Sequence, residues 1–313
     1  MAILLDPPRW EAHGTVWAHL VSDVSLEELH DFARTNGVPD RSFDLDHYDV
    51  PAERVEALLA AGATPVSGKE LLVRLRRSGL RVRGADRRRE RGRRLRRRLA
   101  GRWADLGRVV VDDGLEAPWR DLGGELLDRW SEPHRRYHDL IHLEEVLTRL
   151  DDLGDDGEPV TPSVRLAAWF HDAVYDGGPD DEDRSADLAA KRLASVGVEE
   201  RTAAEVSRLV RLTAGHDPQR DDVAGAVLCD ADLGILGASP HRYGRYARAV
   251  RAEYGHVPEA DFRSGRATVL RGLLGHTELF RTASGRSRWE APARANMAAE
   301  LADLEAGTTP RGS

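Results

Sequence analysis

The stretch VRLAAWFHDAVYD (164–176) decides how the chain is read. Up to Phe170 it is apolar on nearly every side, and a helix apolar all round is normally buried. It then runs into His171 and Asp172, with Asp176 four residues further on. Burying an ionisable pair costs roughly several kcal/mol unless something neutralises it. A partner for His171 and Asp172 has to come from elsewhere in the chain or from a bound ion.

Helical periodicity extends in both directions from this stretch. From about residue 103 onward every periodic segment reads as helix, with candidates near 115–131, 134–151, 161–174, 182–196, 199–214, 221–231, 239–254, 261–274 and 289–306. Strand alternation is absent there, which predicts an all-α domain over 103–306. The preceding residues, 1–80, read as a small α/β domain. Strands are expected at 2–5 and 63–66. Helices are expected at 25–37, with Ser25 and Glu28 as a capping box and Gly37 as the stop, and at 50–62 and 67–79. The fold class expected is therefore α+β overall. Between the two domains, residues 81–102 are arginine-rich and read as a solvated linker or helix, with a phosphate or RNA contact as the alternative. Residues 307–313 read as a disordered tail.

Composition narrows the function classes. The 313 residues are 41% hydrophobic and 32% charged, enough for a core and typical of a soluble chain. No apolar run reaches the ~18 residues needed to span a bilayer, and no signal peptide is evident. No membrane association is expected. The single cysteine, Cys229, excludes an intrachain disulfide framework and suits a reducing cytoplasm. The net charge of −8 is uneven: residues 81–102 carry twelve Arg against Asp86 and Glu90, a local +10, leaving −18 for the rest. Nucleic-acid binding is thus not favoured for the chain as a whole. P-loop, GxGxxG, HExxH, CxxC and GxSxG motifs are missing.

Ligand-type residues recur along the helical part. His138 and His142 are spaced i,i+4 in RRYHDLIHLEEVL (135–147), His216 closes RLVRLTAGHDP, and Asp230 and Asp232 interrupt AVLCDADLGILG (226–237). Neutral imidazoles and carboxylates are good ligands for divalent metals, and an ion would offset the buried charge of the His171–Asp172 pair.

The ordered set of a histidine, an adjacent His-Asp pair and a later aspartate resembles the HD-domain superfamily of metal-dependent phosphohydrolases. The likeness is carried by YHDLIHLEEVL, WFHDAVYD and DADLGILG, and continues through DRSA (183–186), EYGHVPEADFRSGRATVL (253–270) and WEAPARANMAAEL (289–301). It implies His142, His171, Asp172 and Asp232 as metal ligands, with Asp230 as the alternative to Asp232. One divalent ion (Mn, Fe, Ni, Co, Zn or Mg) is expected, with two as the alternative. The implied activity is hydrolysis of a small phosphorylated substrate, a nucleotide by family analogy, with Asp172 orienting water and His138 or His216 as general acid or phosphate contact. Arg266, Arg271, Arg294 and Glu182 are candidate substrate-binding residues. The alternatives are a non-catalytic metal- or nucleotide-binding module, or a nucleic-acid-associated factor using the arginine-rich segment. The oligomeric state stays open.

The first 80 residues, through LLDPPRWEAHGTVWAHLVSD (4–23) and FDLDHYDVP (43–51), resemble a small uncharacterised domain that occurs alone or fused to others. Asp6, His13, His19, Asp46 and His47 form a candidate second site, with Asp23, Asp49, Trp10, Trp17 and Tyr48 nearby in sequence. Such a cluster suits a metal or a stacked base.

Overall fold

The computed structural model describes residues 2–12 and 14–306. His13 and the tail 307–313 lie outside the described residues. The protein is α+β, a small sheet followed by a long helical region, and it divides into two units, residues 1–94 and 95–313.

The first unit is built on strands β1 (Ile3–Leu5), β2 (Trp10–Ala12), β3 (Thr15–Ser22), β4 (Tyr48–Pro51) and β5 (Thr64–Pro65), with helices α1 (Leu26–Thr35), α2 (Ala52–Ala60) and α3 (Gly68–Arg77). β3 is the hub. It pairs antiparallel with β1, β2 and β4, while β5 adds parallel to β1. Side chains alternate between the two faces of a strand. Ala18, Leu20, Tyr48 and Val50 accordingly enter a core with Leu29 and Ala33 of α1 and Leu58 of α2. Leu4 and Val21 pack on the other face against Leu71 and Leu75 of α3. Trp17 and His19 share the Val21 face by this alternation but stay half-exposed.

The arginine-rich stretch is not a free linker. It belongs to α4 (Gly84–Val110), a 27-residue helix. Within the first unit, Arg87 and Arg91 pair with Asp44, and Arg94 donates to the Leu45 carbonyl. Within the second, Arg96, Arg98 and Arg102 pair with Asp128, Glu144 and Asp151. Much of the local positive charge thus has a protein partner, which weakens the case for this segment as a nucleic-acid handle.

The second unit continues with α5 (Glu116–Arg129), α6 (Leu140–Asp155), α7 (Pro162–Phe170), α8 (Asp181–Ser195), α9 (Glu200–Leu212), α10 (Val223–Leu233), α11 (Pro240–Glu253), α12 (Glu259–Gly275), the short turn α13 (Ala283–Gly285) and α14 (Ala291–Ala306). Thr161 caps α7 and Pro162 opens it, as helix starts favour. Val164, Leu166, Ala167, Ala168, Trp169 and Phe170 are all buried, so α7 is the central helix its composition demanded. Trp103 of α4 and Trp119 of α5 stack with centroids 4.0 Å apart, each indole N–H donating to the other residue's carbonyl at 2.7 and 2.9 Å. Gly107 and Gly123 make room for them: a Cβ there would lie 2.3 and 2.2 Å from an indole atom. A second cluster gathers Tyr137, Leu236, Tyr243, Leu270, Phe280 and Met297. No single helix among the described residues is long and apolar enough to cross a membrane.

Candidate metal centre

Helix α7 ends at the His171–Asp172 pair, and its last turn aims it. The His171 Nδ1 lies 2.9 Å from the Ala168 carbonyl, which can only accept, so Nδ1 carries a proton and Nε2 is the nitrogen turned inward. His142, in the first turn of α6, brings its Nε2 to 3.1 Å from that atom. Asp172 Oδ2 lies 3.1 Å from His171 Nε2 and 3.6 Å from His142 Nε2. Asp232, in the last turn of α10, places Oδ1 at 3.2 Å from His142 Nε2 and 3.7 Å from His171 Nε2. Two ligands of a tetrahedral ion with bonds of ~2.1 Å lie ~3.4 Å apart, so this spacing fits a divalent ion. His142 of α6, Asp232 of α10 and His171 from the turn after α7 bring one ligand atom each within 4.8 Å of one another, and Asp172, on the same turn, stands against the two imidazoles, beside Trp130 and Tyr137.

The electrostatics agree with this. Burial alone would favour neutral rings, yet Asp172 and Asp232 hold His171 well above the usual imidazole range. Burial opposes ionisation of Asp172 and Asp232 too, and the neighbouring imidazoles still hold both well below the usual carboxylate range. Without an ion the cluster balances its charge by keeping imidazole protons. A divalent ion would take the place of those protons.

Asp230, the alternative ligand, is excluded by its partners. Its carboxylate accepts from the backbone N–H groups of Arg281 and Thr282 and from the Thr282 hydroxyl, and burial pushes it up to about 6. His216 follows α9 with φ +48°, a left-handed backbone costly for a non-glycine residue. In that conformation its Nε2 meets Asp232 Oδ2 at 2.8 Å. His138 departs from expectation: it is not on the face of α6 with His142. The helix starts only after Asp139, which caps it by accepting from the N–H groups of Ile141 and His142. The residues before are held non-helical by Glu253, whose Oε1 accepts from the N–H groups of Arg136, Tyr137 and His138 at 2.7–3.0 Å. Glu253 Oε2 then takes His138 Nδ1 at 2.8 Å and the Tyr175 hydroxyl at 3.2 Å.

Of the proposed substrate arginines, only Arg266 reaches the site. It lines a cavity of about 370 Å³ with His138, His216, Asp232, Leu236 and Tyr246, although its guanidinium is bound to Glu300. Arg271 pairs with Glu305 at the surface. Arg294 is used up by Glu290 and the carbonyls of Leu274, His276 and Thr277. Neither Arg271 nor Arg294 lines the cavity, which corrects both expectations. Glu182 is half-buried, and burial followed by the charges of Asp172 and Asp181 pushes its carboxyl up. A second opening, about 210 Å³, is lined by His142, Asp139, Arg136, Arg242, Arg245 and Arg248. Arg245 and Arg248 are exposed and have no acidic partner among the described residues.

Sequence reasoning missed Glu253, Arg135, Arg245 and Arg248. Arg135 is buried and donates to the carbonyls of His138, Asp172 and Ala173, clamping the turn that carries Asp172. The only signal for Glu253 was its place in the quoted EYGHV segment.

Glu253 makes a pH prediction. Burial would raise its carboxyl, but His138 and the backbone N–H groups outweigh burial and lower it to about 2. The folded value lies below the unfolded one, near 4.5. Its stabilisation is thus present above that pH and lost as pH falls toward 2, on the order of 3 kcal/mol in all. Glu253→Gln should lower the urea midpoint at neutral pH, and the gap to wild type should close below about pH 4.5. Equal midpoints at neutral pH would contradict it.

Residues 3–78 match the model of a family described as "Protein of unknown function (DUF4031)", a stretch that lies within the first unit and contains none of His142, His171, Asp172 and Asp232. No curated protein and no solved structure matches the chain.

Proposed function

We propose that the helical unit is a cytoplasmic metal-dependent phosphohydrolase of the HD type, cleaving a phosphate ester or anhydride of a small molecule, a nucleotide by family analogy. The observation that supports this is the convergence of His142, His171 and Asp232, with Asp172 3.1 Å from His171 Nε2 and 3.6 Å from His142 Nε2, beside a cavity of small-molecule size. The nitrogen and oxygen donors suit one Mn, Fe, Ni, Co, Zn or Mg ion. When bound, the ion supplies a Lewis acid for a phosphoryl oxygen and lowers the pKa of water.

The rest is done by the chain. Asp172 holds the nucleophilic water's orientation from the turn that Arg135 clamps. His138, its Nδ1 fixed by Glu253, keeps Nε2 for a proton to the leaving oxygen. His216 fixes the rotamer of Asp232. Arg245 and Arg248, at the opening beside His142, replace Arg271 and Arg294 as contacts for the substrate's phosphates. Leu233, Ile235, Leu236 and Leu273 supply the apolar wall of the cavity.

The test is a panel of nucleoside mono-, di- and triphosphates incubated with protein loaded with each candidate metal. Wild type should release phosphate or pyrophosphate, and Asp172→Asn should lose both metal and turnover. His138→Gln should keep its metal and lose turnover by ~100-fold or more. A metal-loaded wild type inert across the panel would sink the hydrolase reading. It would leave a binding module.

A further inference from the structure

The first unit carries a second histidine cluster, built differently from the first. His19 lies on β3 directly opposite Asp49 of β4. His47 precedes Asp49 by two residues, and alternation along the strand brings it to the same face. The two imidazole rings stand 5.0 Å apart at 73°. His47 Nε2 is 3.4 Å and His19 Nε2 3.9 Å from the same atom, Asp49 Oδ1.

What fixes the rings lies behind them. Asp6 receives the backbone N–H of His19 through Oδ1 at 2.6 Å and faces His19 Nδ1 through Oδ2 at 3.0 Å. Asp46 faces His47 Nδ1 at 2.7 Å and is itself held by Arg81 and the N–H of Val82. Each Nδ1 is thereby committed to a carboxylate, so each Nε2 is the atom left for the common point. A carboxylate behind each imidazole, turning the far nitrogen toward one centre, is the arrangement that metal-ligating histidines use to set tautomer and raise ligand basicity.

We infer that His19, His47 and Asp49 form a second divalent-metal site, with Asp6 and Asp46 as the residues that orient its histidines. On this inference Asp6 and Asp46, members of the candidate second site, orient the ligands and do not bind the ion themselves. Asp23 is bound to Arg74 and takes no part. Two imidazoles and one carboxylate favour a transition ion such as Zn, Fe, Co or Mn over Mg or Ca. The site has an open side, as three-ligand sites that bind an exchangeable molecule do. Trp10, Trp17, Arg41 and Ser42 line the depression above it. Trp10 is 62% exposed and its ring meets His19 edge-on at 5.7 Å. Arg41 is exposed with no acidic partner among the described residues. The open coordination positions therefore face an aromatic wall and the Arg41 guanidinium, a setting for a small anion with a planar part.

The test uses the full chain, stripped with a chelator and titrated with Zn²⁺ or Co²⁺ alone by calorimetry. The His171→Ala/Asp172→Ala protein should still bind one equivalent. Adding Asp49→Asn, a half-exposed isosteric change, should remove that equivalent or weaken it at least ~10-fold. Asp6→Asn should weaken it by a similar factor with the stoichiometry kept. Circular dichroism of each variant before titration ensures that a folded protein is compared. If the His171→Ala/Asp172→Ala protein binds no metal, or if Asp49→Asn and His19→Gln bind it unchanged, the site does not exist. Either result is separate from the helical centre, whose failure would show as wild type and the His171→Ala/Asp172→Ala protein binding the same amount.

Discussion

Purified wild-type protein should carry one more equivalent of transition metal than the His171→Ala/Asp172→Ala variant, and the variant should lose part of its metal-dependent stabilisation. The argument is one of linkage. His142, His171 and Asp232 meet only when α6, α7 and α10 are packed, so an ion at this point would bind the folded chain and not the unfolded one. Free metal at 100 times its dissociation constant then adds ~2.7 kcal/mol to folding. Elemental analysis gives the stoichiometry and thermal unfolding at several metal concentrations gives the coupling. The wild-type Tm should rise with metal and the variant's should rise less. Identical metal content in both proteins would show that His171 and Asp172 are a structural pair.

Trp103→Ala should be among the most destabilising single changes in the helical unit. The indole is 2% exposed and stacked on Trp119. Truncating a buried tryptophan costs ~3–5 kcal/mol. The carbonyl of Trp119 and the indole of the remaining partner lose their contacts as well. Gly123→Ala attacks the same joint from the opposite side, since its Cβ would lie 2.2 Å from Trp103 Cδ1. Overpacking of that kind costs ~1–3 kcal/mol. Denaturant unfolding of both variants is the check. Midpoints within error of wild type would mean that α4 and α5 are not joined as described.

The helical unit was legible because its periodicity is strong and its caps are conventional, as Thr161-Pro162 at α7 illustrates. The clustered histidines and aspartates were legible as residue types where an apolar helix has no other reason to place charge. Partners were not legible. Arg294 looked like an anion clamp, but its guanidinium closes the carbonyls at the end of α12, a use that depends on a residue far along the chain folding back. His138 looked like a helix residue because its spacing to His142 is right. Glu253, 115 residues away, takes the backbone N–H groups that would have extended the helix. In the first unit β2, β3 and β4 went unassigned. β3 is covered on both faces over Leu20 and Val21 and open at Trp17 and His19, so it lacks the regular alternation that marks a half-buried strand.

The two histidine clusters differ most in how much of them is covered. His142 and His171 expose 1% of their side chains, whereas His19 exposes 24% and Asp49 43%. An ion whose histidine ligands are fixed between packed helices is released only when those side chains move, which for a stable unit is slow. An ion on an open sheet face comes and goes with the free concentration around it. The helical centre would thus preserve the metal that was present when the chain folded, and the sheet site would follow the metal present at the moment.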